Sequence, residues 1–275
     1  MKIEFFCPRW GVENISWENF CMLVKVAGYD GIESAIPFHE AERSELTKVL
    51  NKNKLRLIGQ LHQSFERNFE DHKISFKRHL TNIISMNPIL IDSQTGKDYY
   101  SIDQNNDLFK MAKLITLETG ILIAHETHRN KALYAAHVTA EILLQDPELR
   151  ITADFSHWCN TSESLLEEQE EALNIAIDRS IHIHARIGHA QSPQVSDPRA
   201  PEWKVELDAH LRWWDAIVQS RLKSGVSLLT ITPEFGPAPY MPLLPYTKMP
   251  VASQWDINIY MMQLLKNRYQ HITNS

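Results

Sequence analysis

Ile151-Thr152-Ala153-Asp154-Phe155-Ser156-His157-Trp158 is a short β-prone run that delivers an aspartate and, three residues later, a histidine, where polar Cys159-Asn160-Thr161-Ser162 takes over. Neither an acid nor an imidazole helps a buried strand. Taken alone, the pattern has two readings. Asp154 caps the segment that follows, or Asp154 and His157 form a ligand and proton-transfer pair at a strand terminus. The way the other strands end decides between them.

Outward from this run the same strand-then-helix unit recurs. The alternation of apolar runs and amphipathic stretches predicts strands at 3–7, 30–34, 54–62, 88–93, 120–126, 151–155, 180–185 and 226–232. Helices are predicted from about 16 to 28, then at 39–50, 69–84, 102–117, 130–144, 164–177, 208–222 and 254–269. Such units imply right-handed crossovers and parallel pairing. Eight of them in 275 residues favour an α/β fold of the closed (β/α)8 type, one barrel domain over residues 1–275. An open doubly wound sheet is the alternative, but no Gly-x-Gly-x-x-Gly turn follows the first strand.

Composition narrows the function classes. The formal net charge is -6 and the basic residues are scattered, so no nucleic-acid partner is expected. No apolar run approaches the roughly 20 residues of a membrane span, and Met1-Lys2-Ile3-Glu4 leads straight into a strand. Cys7, Cys21 and Cys159 lack CxxC spacing, which fits free thiols in a reducing, cytoplasmic setting. The last helix, around Ile259-Tyr260-Met261-Met262, is expected to pack on the barrel or against a second copy, which leaves a homo-oligomer open.

In a parallel barrel the C-terminal strand ends form one rim, where chemistry is placed. Here those ends carry Arg9 and Trp10, Glu33, Gln60 and His62, Asp92 and Ser93, Glu126 and His128, Asp154 and His157, His182, His184 and Arg186, and Glu234. The opposite ends offer mostly Gly, Lys, Pro and Arg. Acids and imidazoles are loaded on one rim. Glu126, Asp154, His184 and Glu234 suit one divalent ion: three hard carboxylates with one imidazole favour Mn²⁺, Mg²⁺ or Co²⁺ and permit Zn²⁺. His182 and His184 share a face by period-two alternation, and His184 lies nearer the rim.

Around that set, His157 is placed to meet a substrate oxygen, and Gln60 and His62 to line the cavity from across the barrel. Arg9, Arg186 and Lys204 are candidates for holding polar or anionic substrate ends. Trp10, Trp158, Trp203 and Trp255 are candidates for stacking on a sugar face, with ordinary packing as the competing role. The expected partner is a small carbohydrate.

Glu126 within His125-Glu126-Thr127-His128-Arg129, the Asp154-x-x-His157 pair, His184 in His182-Ile183-His184, and Glu234 after the last strand together resemble the xylose isomerase-like TIM barrel superfamily. Within it, the likeness is to the sugar phosphate isomerase/epimerase group, and it spans essentially the whole chain. The resemblance implies that Glu126, Asp154, His184 and Glu234 hold one divalent ion. It also implies that Glu126 and Glu234 flank the substrate carbon and exchange its proton through an enediolate, while His157 contacts a substrate oxygen. The group also contains dehydratases acting on inososes.

Two positions depart from the ketose 3-epimerase pattern. An arginine is expected six residues beyond His184, where this chain has Ala190, and a glutamate six residues beyond Glu126, where it has Ala132. A trinuclear zinc site of the apurinic endonuclease type would draw on His62 and the Asp208-x-His210 pair. That pair falls within a predicted helix, and the chain lacks the basic groove that such a substrate needs.

Overall fold

The computed structural model describes residues 1–273. Eight parallel strands close into a barrel in chain order: β1 (Lys2–Pro8), β2 (Gly31–Ser34), β3 (Arg56–Leu61), β4 (Leu90–Ser93), β5 (Ile123–Glu126), β6 (Ile151–Ala153), β7 (Ser180–His184) and β8 (Leu228–Thr232), which returns to β1. Around them run α1 (Trp17–Ala27), α2 (Glu40–Asn53), α3 (Phe69–Ile84), α4 (Ile102–Thr119), α5 (Ala136–Gln145), α6 (Ser156–Ser162), α7 (Glu170–Arg179), α8 (Lys204–Lys223) and α9 (Gln254–Thr273). None of the described helices is long and apolar enough to cross a membrane.

Period-two alternation sorts each strand into two faces. Outward residues such as Ile32, Leu57, Ile91, Ile151, Ile183 and Ile231 belong to the main apolar core. Inside the barrel Phe6, Ile58, Leu90 and Ala124 form a separate small cluster. One residue pair further along the strands the interior turns polar: Glu33, Gln60, Asp92, Glu126 and His184 are all buried. The register fixes their heights, with Gln60 beside Asp92 and His184 beside Thr232. Gly31 has a packing reason, because a Cβ there would lie 2.4 Å from both the Arg56 carbonyl oxygen and the Phe6 ring.

Four of the departures from the expected boundaries shape the rim and its loops. Strand six stops at Ala153, where Asp154 Oδ1 accepts the Ser156 backbone N–H at 3.2 Å in an Asx turn that leads into α6. The helix expected from residue 130 begins at Ala136, after left-handed Asn130, which leaves 127–135 as a rim loop. The helix expected from residue 164 begins at Glu170, after left-handed Leu166. The helix expected from residue 208 begins at Lys204, after the single turn Pro201–Trp203. Helix α9 packs on the barrel, burying Ile257, Met261, Met262 and Leu265.

His210, on α8, ties the long loop after β7 to the helix layer. Its Nε2 accepts the Gly188 N–H at 3.2 Å and its Nδ1 faces the Glu206 carbonyl oxygen at 2.8 Å, so the ring is neutral with its proton on Nδ1. Burial lowers its pKa to about 4, below the unfolded value of about 6.5. As pH falls through that window the unfolded chain gains the proton first, and native stability is lost. The stability gap between wild type and His210→Gln, read by urea denaturation, is expected to be about 2 kcal/mol smaller at pH 5 than at pH 7. An unchanged gap would contradict a neutral, anchoring imidazole.

Candidate metal centre and active site

Glu126 is the last residue of β5, Asp154 follows β6, His184 ends β7 and Glu234 lies two residues past β8. All four are buried, and each offers one ligand atom within 4.8 Å of the others'. His184 is the hub. Its Nδ1 lies 2.9 Å from Glu234 Oε2 and 3.5 Å from Glu126 Oε1, while its Nε2 lies 3.0 Å from Glu33 Oε1. Glu33 also accepts from Thr232 Oγ1 and meets His182 Nε2 at 3.2 Å. His182 is held on its other side by Thr230, so it buttresses Glu33 and does not enter the four-residue set.

The donor set fits a divalent cation on grounds internal to the structure. Both carboxylate oxygens of Glu126 are buried with no hydrogen-bond partner, as are both oxygens of Asp92. Five buried carboxylates, those of Glu33, Asp92, Glu126, Asp154 and Glu234, converge on one region. The cationic partners they contact there are Arg186 and a protonated His184. Burial works against charge on His184, but Glu234, Glu33 and Asp92 outweigh it and raise its pKa well above the ordinary range. Burial, then Glu126, pushes Asp92 strongly upward, so it holds its proton.

Two carboxylates of the set differ in character. Burial raises Glu126, yet His184, His128 and Arg186 together bring it down to about 2. Burial dominates at Asp154, with Glu126 and Glu234 adding to it against Arg186, and raises it to about 6. Asp154 is also the most engaged member: Ser156 donates to Oδ1 and Arg186 to Oδ2. An ion held there shares Asp154 with the guanidinium.

The sequence-predicted substrate residues fall into two groups. Trp10, Gln60, His62 and Arg186 line one cavity of about 200 Å³ together with Gln94, His128, Glu234 and Tyr240. Gln60 donates to Glu234 Oε1 at 2.9 Å. The Arg186 guanidinium lies 4.9 Å from the Tyr240 ring centre and 5.8 Å from that of Trp10. It donates to His157 Nε2 at 2.8 Å, which puts the His157 proton on Nδ1, a buried atom with no partner. Burial, then His128 and Arg186, holds His157 far below the ordinary histidine range and therefore neutral.

The others lie elsewhere. Trp158 is fully buried, stacked on Phe155 at 4.8 Å and bonded to the Leu133 carbonyl, so it is a core ring and not a sugar platform. Trp203 bonds Ser196 and packs on His189. Trp255 is a partly buried ring packed on the apolar core. Arg9 is the exception: it stacks on Trp17 and Phe20, 4.6 Å from each ring centre, and lines an adjoining cavity together with Trp10, Gln60 and His62. Lys204 is exposed and pairs with Asp208 at 2.6 Å. His210 is bonded to Gly188, and neither it nor His62 belongs to a group of potential metal ligands among the described residues.

The sequence places Glu33 and Asp92 on the rim without a task; it puts Gln94 at the start of a polar loop and Tyr240 in a segment expected to shape the pocket, with no individual role for either. Glu33 carried a findable signal, an acid ending a strand whose partner positions hold imidazoles. Tyr240 sits in an irregular loop, where spacing says nothing about direction.

No protein family matches the sequence, and no curated protein matches it. Solved structures do. The probable 3-DHS dehydratase AsbF from Bacillus anthracis, involved in petrobactin synthesis, is 18% identical with a TM-score of 0.60, over 97% of this chain and 100% of that one. The 3-keto-D-glucoside 4-epimerase YcjR from E. coli is 12% identical with a TM-score of 0.63, again over 97% and 100%. A D-tagatose 3-epimerase-like protein is 15% identical with a TM-score of 0.62, over 98% of both chains. The order of eight strands, their closure and these whole-chain superpositions show that this protein has the xylose isomerase-like TIM barrel fold.

Proposed function

We propose that this protein is a divalent-metal-dependent isomerase or epimerase acting on a sugar, sugar phosphate or related hydroxy-carbonyl compound. The observation that carries this reading is the buried convergence of Glu126, Asp154, His184 and Glu234 within 4.8 Å, with both Glu126 oxygens left without a partner. Glu126, Asp154, His184 and Glu234 would hold Mn²⁺, Mg²⁺, Co²⁺ or Zn²⁺, which would supply Lewis-acid polarisation of the substrate's adjacent carbonyl and hydroxyl oxygens.

The protein's own groups do the rest. Glu126, ionised at neutral pH, removes the proton from the carbon next to the carbonyl. Glu234, steadied by Gln60, delivers from the other side a proton drawn from solvent, and Glu126 releases to solvent the one it took. Return to the same carbon gives an epimer, and return to the neighbouring one gives the aldose–ketose isomer. Neutral His157 offers its Nδ1–H to a substrate oxygen as charge develops there. Trp10 and Tyr240 wall the cavity with aromatic surface, and Arg186 keeps one unpartnered nitrogen for a substrate oxygen.

Dehydration is the second reading. His62 lines the same cavity, and burial keeps its pKa below the ordinary value. With His157 it supplies a second imidazole that can assist departure of a β-hydroxyl from the same enediolate. The structurally similar AsbF is described as a probable dehydratase.

The test is a screen of ketoses, inososes and hydroxypyruvate in D₂O with metal-loaded protein. Deuterium is expected at the carbon next to the carbonyl, with an epimer or isomer as product, or with loss of water if dehydration operates. Absence of exchange with every compound, metal being bound, would sink the proposal.

A further inference from the structure

Two lysines in the rim loops stand outside everything described so far. Lys97 follows β4 and Lys131 follows β5, and they are only 5% and 4% exposed. Lysines are almost never this buried unless paired. Neither is paired with an acid among the described residues, and the side-chain partner of Lys131 is Lys97 itself.

The two loops are locked together. Ala132 N–H donates to the Thr95 carbonyl at 3.0 Å, and Asn105 Nδ2 donates to the Lys97 carbonyl at 2.9 Å. Gly96 sits between them at φ +67°, where a Cβ would come within 2.1 Å of Asn105 Oδ1 and 3.1 Å of Ala132 Cβ. Only glycine lets the loops close this far. Burial, then the charge of Lys97, lowers the Lys131 pKa to about 7, and Glu126 is the one acid that offsets this. The field of Lys131 also reaches His62 and His128, which line the cavity beside the acid cluster. Two like charges brought together out of water are unfavourable, and an arrangement of this kind calls for a counter-charge from outside.

We infer that Lys97 and Lys131 form the seat for an oxyanion, a phosphate or carboxylate group carried by the substrate of the neighbouring site. The inference rests on the proposed function for the word substrate, but not for the anion site itself. It narrows the substrate class from hydroxy-carbonyl compounds at large to those bearing a terminal anionic group. The chain links the lysines to the cavity wall: Gln94, three residues before Lys97, lines the cavity, and Lys131 N–H donates to the carbonyl of His128, which lines it too, at 3.1 Å.

Isothermal titration of metal-free protein with inorganic phosphate and, separately, acetate, at low ionic strength, tests this directly. Saturable binding of at least one is expected, with phosphate or acetate preference separating the two sources of the oxyanion. Lys97→Met and Lys131→Met should each weaken it roughly tenfold or more. Both variants remove a buried cation that faces another cation and no paired acid, so their melting temperatures are expected to equal or exceed that of wild type, which shows that they fold. Lys97→Arg, which keeps the charge, should retain part of the affinity. No saturable binding of either anion, or binding that both methionine variants leave unchanged, would overturn the inference. Because no metal or turnover enters the measurement, such a failure leaves the metal-site reading standing, and failure of metal binding leaves the anion result standing.

Discussion

Glu126→Gln is expected to lower turnover roughly a thousandfold at saturating metal, the scale associated with loss of a positioned base. The substitution keeps the volume and removes only the charge and basicity. In the structure Glu126 is held ionised in spite of burial by His184, His128 and Arg186, so a carboxylate is the form the site selects. Its oxygens accept no well-formed hydrogen bond from the protein, the nearest contact being His184 Nδ1 at 3.5 Å, which leaves them available to metal and substrate. The amide also makes a poorer ligand, so the assay must be run at saturating metal to separate a lost base from a lost ligand. Glu234→Gln is expected to behave similarly, with a smaller change in metal affinity if Gln60 continues to bond the amide oxygen. Full-rate turnover by Glu126→Gln would rule out its role as base.

The second large effect is expected at a residue outside the four-residue set. His184 faces Glu126 and Glu234 through Nδ1 and Glu33 through Nε2. A histidine ligand whose other ring nitrogen meets a carboxylate is fixed in orientation and made more basic, and loss of such a partner typically costs 10- to 100-fold in metal affinity. Glu33→Gln is therefore expected to weaken metal binding by that factor in a chelator-competition titration. His182 and Thr232, which both contact Glu33, remain to hold the substituted side chain in place. Unchanged affinity would show that Glu33 serves packing alone.

How much of this was legible in the sequence follows from which interactions are local. Strand-and-helix alternation is local, and the eight-unit barrel came from it with boundaries that slipped where a side chain redirected the backbone, as Asp154 does through Ser156. The convergence of Glu126, Asp154, His184 and Glu234 was legible because barrel closure brings the ends of β5 to β8 together whatever the loops do. For Trp158 the sequence leaves stacking and packing open, because a ring in the first turn of a short helix can face cavity or core with the same spacing, and the structure shows packing. Lys97 and Lys131 gave no signal, since a lone lysine in a polar loop reads as solvated. Their burial depends on a contact across two loops through Gly96. Arg186 was expected at the substrate, and only the fold shows that it also clasps Asp154.

The claim on which the rest depends is that these four side chains hold an ion. Elemental analysis of protein purified after expression with added manganese, magnesium or cobalt, alongside His184→Ala treated identically, tests it most directly. The account predicts close to one divalent ion per chain in the wild type and loss of that ion in the variant. A wild-type protein without stoichiometric metal, or a His184→Ala protein with the same content, would contradict it.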